Sequence, residues 1–158
     1  MRKILTIMFA VGALAGCAGF SLTEASAYAQ TTDFFTLVKA GKPQQIQAAI
    51  DQGANVNAQD RDGTTPLMYA AIYNQNPEVI TTLVKAGADI RARTKDGVTP
   101  LMCAAKYNPS PKVIITLLKA GADPKARDKA GETVFDYAQE NEKLKGTDAY
   151  EQLQEAAQ

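Results

Sequence analysis

The sequence predicts an all-α solenoid of about four helix-turn-helix units. Three observations lead there. Residues 62–89 (DGTTPLMYAAIYNQNPEVITTLVKAGAD) recur as residues 96–123 (DGVTPLMCAAKYNPSPKVIITLLKAGAD), a spacing of 34. Glycines fall in phase at Gly53, Gly87 and Gly121, and again at Gly63, Gly97 and Gly131. Apolar residues within each copy keep helical spacing. A fixed period of this size marks units that cannot bury their apolar faces alone and stack on their neighbours. The units run over about residues 33–60, 61–94, 95–128 and 129–158, together one domain over 33–158.

The first unit is the least regular. FFTLVKAGKPQQIQAAIDQGANVN places Ile46, Ala49 and Ile50 in the apolar columns of the later copies. The two central units open with Asp62-Gly63 and Asp96-Gly97, tight-turn signals in which glycine supplies the positive φ. Thr65-Pro66 and Thr99-Pro100 follow, a side-chain N-cap before proline at the first helical position. The first helix of each pair then carries Leu67, Ala70 and Ala71, or Leu101, Ala104 and Ala105, small enough for neighbouring helices to approach closely. Asn76-Pro77 and Ser110-Pro111 start the second helices. Val79, Ile80, Leu83 and Val84, with Val113, Ile114, Leu117 and Leu118, give those helices one apolar face. Gly87 and Gly121 end them. The last unit keeps Thr133, Phe135 and Ala138 but has no proline after the threonine. Its second helix, from Thr147, has only Ala149, Tyr150 and Leu153 as apolar residues, which suits a polar end cap.

DGTTPLMYAA, DGVTPLMCAA and the two AGAD endings resemble the ankyrin repeat, and the resemblance covers about residues 33–158. It implies a helix-turn-helix plus a hairpin-like loop per unit, stacked into a curved array. Two departures stand out. The usual period is about 33, and the extra residue here falls between the helices, in IYNQNP and KYNPSP. Met68 and Met102 stand where the family commonly has histidine, so Thr65 and Thr99 are expected to act mainly as caps.

The first thirty residues are a different object. Arg2 and Lys3 precede an uncharged, mostly apolar stretch from Ile4 to Ala15, too short for a bilayer span and built like a secretory signal. Two cleavage sites compete within a signal region of 1–29. Leu14-Ala15-Gly16-Cys17 resembles the bacterial lipobox, whose cysteine takes the lipid because only a thiol forms the thioether. Ala27-Tyr28-Ala29 is a small-x-small site of the ordinary kind. Ala18 after Cys17 resembles lipoproteins sent on to an outer membrane. Every reading puts the repeats outside the cytoplasm, as an exported periplasmic protein or an outer-membrane-anchored lipoprotein. Loss of Arg2 and Lys3 from the 17 cations leaves 15 against 17 acidic residues, so bulk nucleic-acid binding is not expected.

Catalytic chemistry has little to work with. The chain has no histidine, which excludes Ser-His and Cys-His nucleophiles. Cys103 is the lone cysteine of the repeats, in the column of Tyr69, and reads as a packed small residue. Asp60/Asp62 and Glu140/Glu142 read as turn and solubilising residues. No metal or cofactor is expected. The binding candidates are the loop tips, whose columns hold Asn57, Arg91 and Lys125; Gln59, Arg93 and Arg127; and Arg61, Lys95 and Lys129. Seven cations project from three successive tips and suit partner carboxylates or phosphates. Interleaved Asp60, Asp62, Asp89, Asp96, Asp123 and Asp128 weigh instead toward an ordinary ion-paired edge. Tyr73 and Tyr107 are either interface anchors or, the favoured reading, packed beneath the lengthened loop beside Pro77 and Pro111. Asn74 and Asn108 are expected to support that turn.

The function expected is a non-enzymatic protein-interaction module of the bacterial cell envelope. It binds one protein partner through Arg61, Arg93, Lys95, Arg127 and Lys129, with Tyr73 and Tyr107 as anchors, and touches a membrane only through a lipid on Cys17. The alternative is a soluble periplasmic inhibitor or protective factor acting on an enzyme or toxin.

Overall fold

A computed structural model describes residues 34–157. The signal region, Cys17 and both cleavage sites lie outside the described residues. Eight helices follow one another: α1 (34–40), α2 (Pro43–Asp51), α3 (Pro66–Tyr73), α4 (Pro77–Lys85), α5 (Pro100–Tyr107), α6 (Pro111–Lys119), α7 (Val134–Gln139) and α8 (Asp148–Ala156). Among the described residues the only β-type pairing is an isolated antiparallel bridge between Arg127 and Thr133. The fold is the all-α repeat solenoid expected.

Helix starts follow the caps read from the sequence. Thr65, Thr99 and Thr133 accept hydrogen bonds from the backbone N–H of Met68, Met102 and Asp136. The methionine that replaces histidine also helps, because Met102 Sδ accepts from Thr99 N at 3.4 Å. Asn76 caps α4. Ser110 makes no side-chain cap bond, and α6 starts on Pro111 alone.

Two layers result. The odd-numbered helices pack in series, α3 on α5 and α5 on α7, and the even-numbered ones do the same, α2 on α4, α4 on α6 and α6 on α8. Leu67, Met68, Ile80, Leu83, Leu101, Met102, Ile114 and Leu117 are buried between the layers. Burial of each such side chain contributes roughly 1.5–3 kcal/mol. Ala70, Ala71, Ala104 and Ala105 are also buried and let the inner helices come close. At the far end, Leu144, Ala149 and Leu153 close the core.

Asparagines tie the units together. Asn108 Nδ2 donates to the carbonyls of Ala71 (2.8 Å) and Asn74 (3.0 Å) in the unit before it. Asn74 does the same to Val38 and Gly41, and Asn141 to Ala105 and Asn108. Their Oδ1 atoms accept from the N–H two residues on, which gives the turn role expected of Asn74 and Asn108. The link between units comes in addition.

Loops between helix pairs form fingers with their own bonds. Asp60 N donates to Thr64 O, Thr94 N to Val98 O, and Asp128 N to Glu132 O, closing each turn. Adjacent fingers are joined where Lys95 N donates to Asp62 O and Lys129 N to Asp96 O, both at 2.9 Å. This close approach explains Gly97, whose φ is +85° and where a Cβ would lie 3.1 Å from Lys129 N.

Candidate functional site

The fingers are held from below by carboxylates. Asp60 Oδ1 accepts from the N–H groups of Asp62 and Thr64, and its Oδ2 accepts from the Tyr69 hydroxyl at 2.8 Å. Burial pushes the Asp60 carboxyl up, but bonds from Thr64, Tyr69 and Asp62 outweigh it and hold the carboxyl below its usual range. The partner hydroxyl of Tyr69 is pushed up to about 12 by burial and by Asp60. Asp128 and Tyr137 repeat the arrangement, again at 2.8 Å. The middle unit lacks it, since Thr94 and Cys103 occupy the same two columns. Asp89 and Asp123 serve the turns before the tips, accepting from Arg91 N and Lys125 N.

These contacts overturn the ion-paired reading of the edge. Asp60, Asp89, Asp123 and Asp128 accept from backbone N–H groups, while the Asp62 and Asp96 side chains make no hydrogen bond among the described residues. Among the described residues no carboxylate lies within salt-bridge distance of any of the seven tip cations. The ion pairs found are Lys106 with Glu140 and Lys145 with Glu142, well away from the tips. The cations themselves differ. Arg93 Nη1 donates to Gly97 O at 3.0 Å and to Arg127 O at 2.7 Å, stitching its finger to the next. Arg127 Nη1 donates to Gly131 O at 2.8 Å. Arg61, Lys95 and Lys129 are exposed, and among the described residues their side chains make no hydrogen bond.

Contrary to the expectation from sequence, Tyr73 and Tyr107 are not packed beneath the inter-helix loop. They are the large exposed hydrophobics of the described residues, at 56% and 57% exposure. The buried asparagine that follows each fills the space under the loop, so the ring turns outward. Tyr73 lies almost parallel to Tyr69, with centroids 6.4 Å apart, and Lys39 Nζ sits 4.6 Å from the Tyr69 centroid and 5.4 Å from that of Tyr73. Lys106 Nζ lies 5.8 Å from the Tyr107 centroid, 5.2 Å from that of Tyr137 and 2.9 Å from Glu140. The inner-helix face is therefore an alternation of tyrosine rings and lysines.

The tip cations and the tyrosines are not one cluster. Helices α3 and α5 each start at the finger base and end at a tyrosine, and eight residues at 1.5 Å each put the two roughly 12 Å apart. They form two bands along adjoining surfaces. Cys103 is buried within the inner layer, and burial pushes its thiol up to about 12, so it carries no reactive thiolate. Among the described residues, no helix is long and apolar enough to cross a membrane.

Sequence reasoning missed Lys39, Lys106 and Phe35, whose ring meets that of Tyr69 edge-on at 5.3 Å, because their roles rest on contacts between units. Asn141 was also missed. It lies 33 residues after Asn108, one short of the period, and its N–H reaches Ala138 O in a tighter turn than Asn108 makes to Ala104 O.

A family model described as ankyrin repeats (3 copies) matches residues 34–145. No curated protein matches the chain.

Proposed function

Because the chain belongs to the ankyrin repeat family, whose members generally act as protein–protein interaction modules and are typically non-enzymatic, we propose that it is a non-enzymatic docking protein of the bacterial cell envelope. In this reading the lipid on Cys17 holds it to a membrane, and one protein partner binds across the fingers and the inner-helix face. The observation that carries it is the state of the tips. Arg61, Lys95 and Lys129 stand on fingers whose backbones are bonded to one another, with no carboxylate of the described residues in ion-pair contact with them. Cations in a row on a bonded backbone meet a partner's carboxylates with the ordering cost confined to their own side chains. Tyr73 and Tyr107 add exposed aromatic area in the second band, at the far ends of α3 and α5.

The cleanest disruption reverses Arg61, Lys95 and Lys129 to Glu and leaves Arg93, which stitches two fingers, and Arg127, which bonds within its own. Crosslinking in intact envelopes is expected to lose a specific adduct in this triple variant while the thermal midpoint stays put. An adduct that survives reversal counts against the tip model. The Ala27-Tyr28-Ala29 site favours a second reading, a soluble periplasmic inhibitor or protective factor. Mass spectrometry of the mature N-terminus separates the two, since acyl mass on Cys17 and a chain starting at Gln30 exclude one another.

A further inference from the structure

At the junction of the first two units, Asn57 performs a specific piece of recognition. Its Nδ2 donates to Gly87 O at 2.9 Å, and its Oδ1 accepts from Asp89 N at 2.8 Å. One C=O and one N–H two residues apart thus hold a carboxamide by both ends. One period on, the same backbone pair is Gly121 O and Asp123 N, but the residue in Asn57's column is Arg91. Arginine has no acceptor atom and cannot reproduce the bond to Asp123 N. Among the described residues neither Gly121 O nor Asp123 N has a hydrogen-bond partner. A cavity of about 490 Å³ opens at this place, lined by Arg91, Arg93, Gly121, Ala122, Asp123 and Ala126.

We propose that this notch is a carboxamide-binding site, which takes an asparagine or glutamine side chain of the protein partner. The proposal rests on the interaction reading above and names the chemistry of one anchor within it. The internal template supplies the geometry. Gly121 O accepts from the carboxamide NH2 and Asp123 N donates to its oxygen, as Gly87 and Asp89 do for Asn57. Two hydrogen bonds on an open surface give little affinity alone, so the amide is presented by a larger docked surface. Arg91, whose guanidinium has no hydrogen-bond partner among the described residues, selects an acidic residue beside that amide.

The test follows backbone amide resonances of the full chain with small probes, and so does not require the partner. Propionamide is expected to shift the Asp123 N–H saturably while the Asp89 N–H, already held by Asn57, stays still; propionate is expected to leave both amides in place. The peptide acetyl-Glu-Gln-Glu-amide is expected to bind several-fold tighter than propionamide and tighter than its Gln→Glu counterpart. Arg91→Asn is expected to abolish the Asp123 response by supplying its own carboxamide. Asn57→Arg is expected to make Asp89 responsive, an independent readout if one variant folds poorly. An Asp123 response no larger than that of Asp89, or one unchanged in Arg91→Asn, overturns the site. Equal binding by the Gln and Glu peptides overturns its assignment to a partner's carboxamide side chain. Failure here leaves the finger reading untouched, whereas loss of the envelope adduct argument leaves a positive probe titration standing.

Discussion

Asn108 is fully buried, and its carboxamide NH2 is shared between two carbonyls of the unit before it. Asn108→Ala leaves Ala71 O and Asn74 O without that donor and Ser110 N without its acceptor. The expected cost is about 2–4 kcal/mol, read from urea unfolding. Asn57→Ala, at an exposed position, is expected to cost under about 1.5 kcal/mol by the same assay. Asp60 supplies a pH dependence. Its folded carboxyl is depressed, so its contribution is present above the unfolded value near 3.9 and is lost as pH falls through the lower folded value. Asp60→Asn is expected to flatten the acid limb of a stability-against-pH curve; a limb as steep as in the parent would show that other carboxylates set it. Single residues were the least legible scale. Asn74 and Asn108 repeat in phase, which marks them, but a side chain's partner one unit away leaves no trace in local spacing. Nor does local spacing show that the neighbouring asparagine takes the interior place and leaves Tyr73 and Tyr107 outside.

At the scale of elements, helices were readable because each start is a local competition settled by local chemistry. A threonine that accepts from the third N–H, followed by proline, fixes the first turn wherever the chain runs. The fingers were readable as turns but not as a bonded series, because the bonds from Lys95 N to Asp62 O and from Lys129 N to Asp96 O join different repeats. Gly97 tests that joining. Gly97→Ala meets both a positive φ and the backbone of the next finger, whereas Gly131→Ala meets positive φ with open space around it. The first is expected to cost about 2–3 kcal/mol and the second about 1 kcal/mol in chemical denaturation. Equal costs would mean that the fingers part without penalty. Sequence spacing offers the tip aspartates to the cations as ion-pair partners; for Asp60, Asp89, Asp123 and Asp128, backbone N–H groups lie closer in the chain and win them first.

For the whole molecule, stability is a sum over units and their junctions. Removing residues 129–158 uncovers α5 and α6, whose Leu101, Met102, Ile114 and Leu117 form part of the shared core. The shortened chain is expected to unfold at lower denaturant and with a smaller slope, since less surface is exposed on unfolding. A slope equal to that of the parent would argue against stacking as the source of cooperativity. The asparagine ties also give the array a direction. Asn74, Asn108 and Asn141 each reach back to the unit made before their own, so each of these units arrives with its own fastener. A tandem duplication of one central unit therefore inserts cleanly: the copy grips what precedes it and offers its successor the same pair of carbonyls. Lengthening by whole units is thus an accessible mutational step for this protein, one that widens its reach without redesigning any joint.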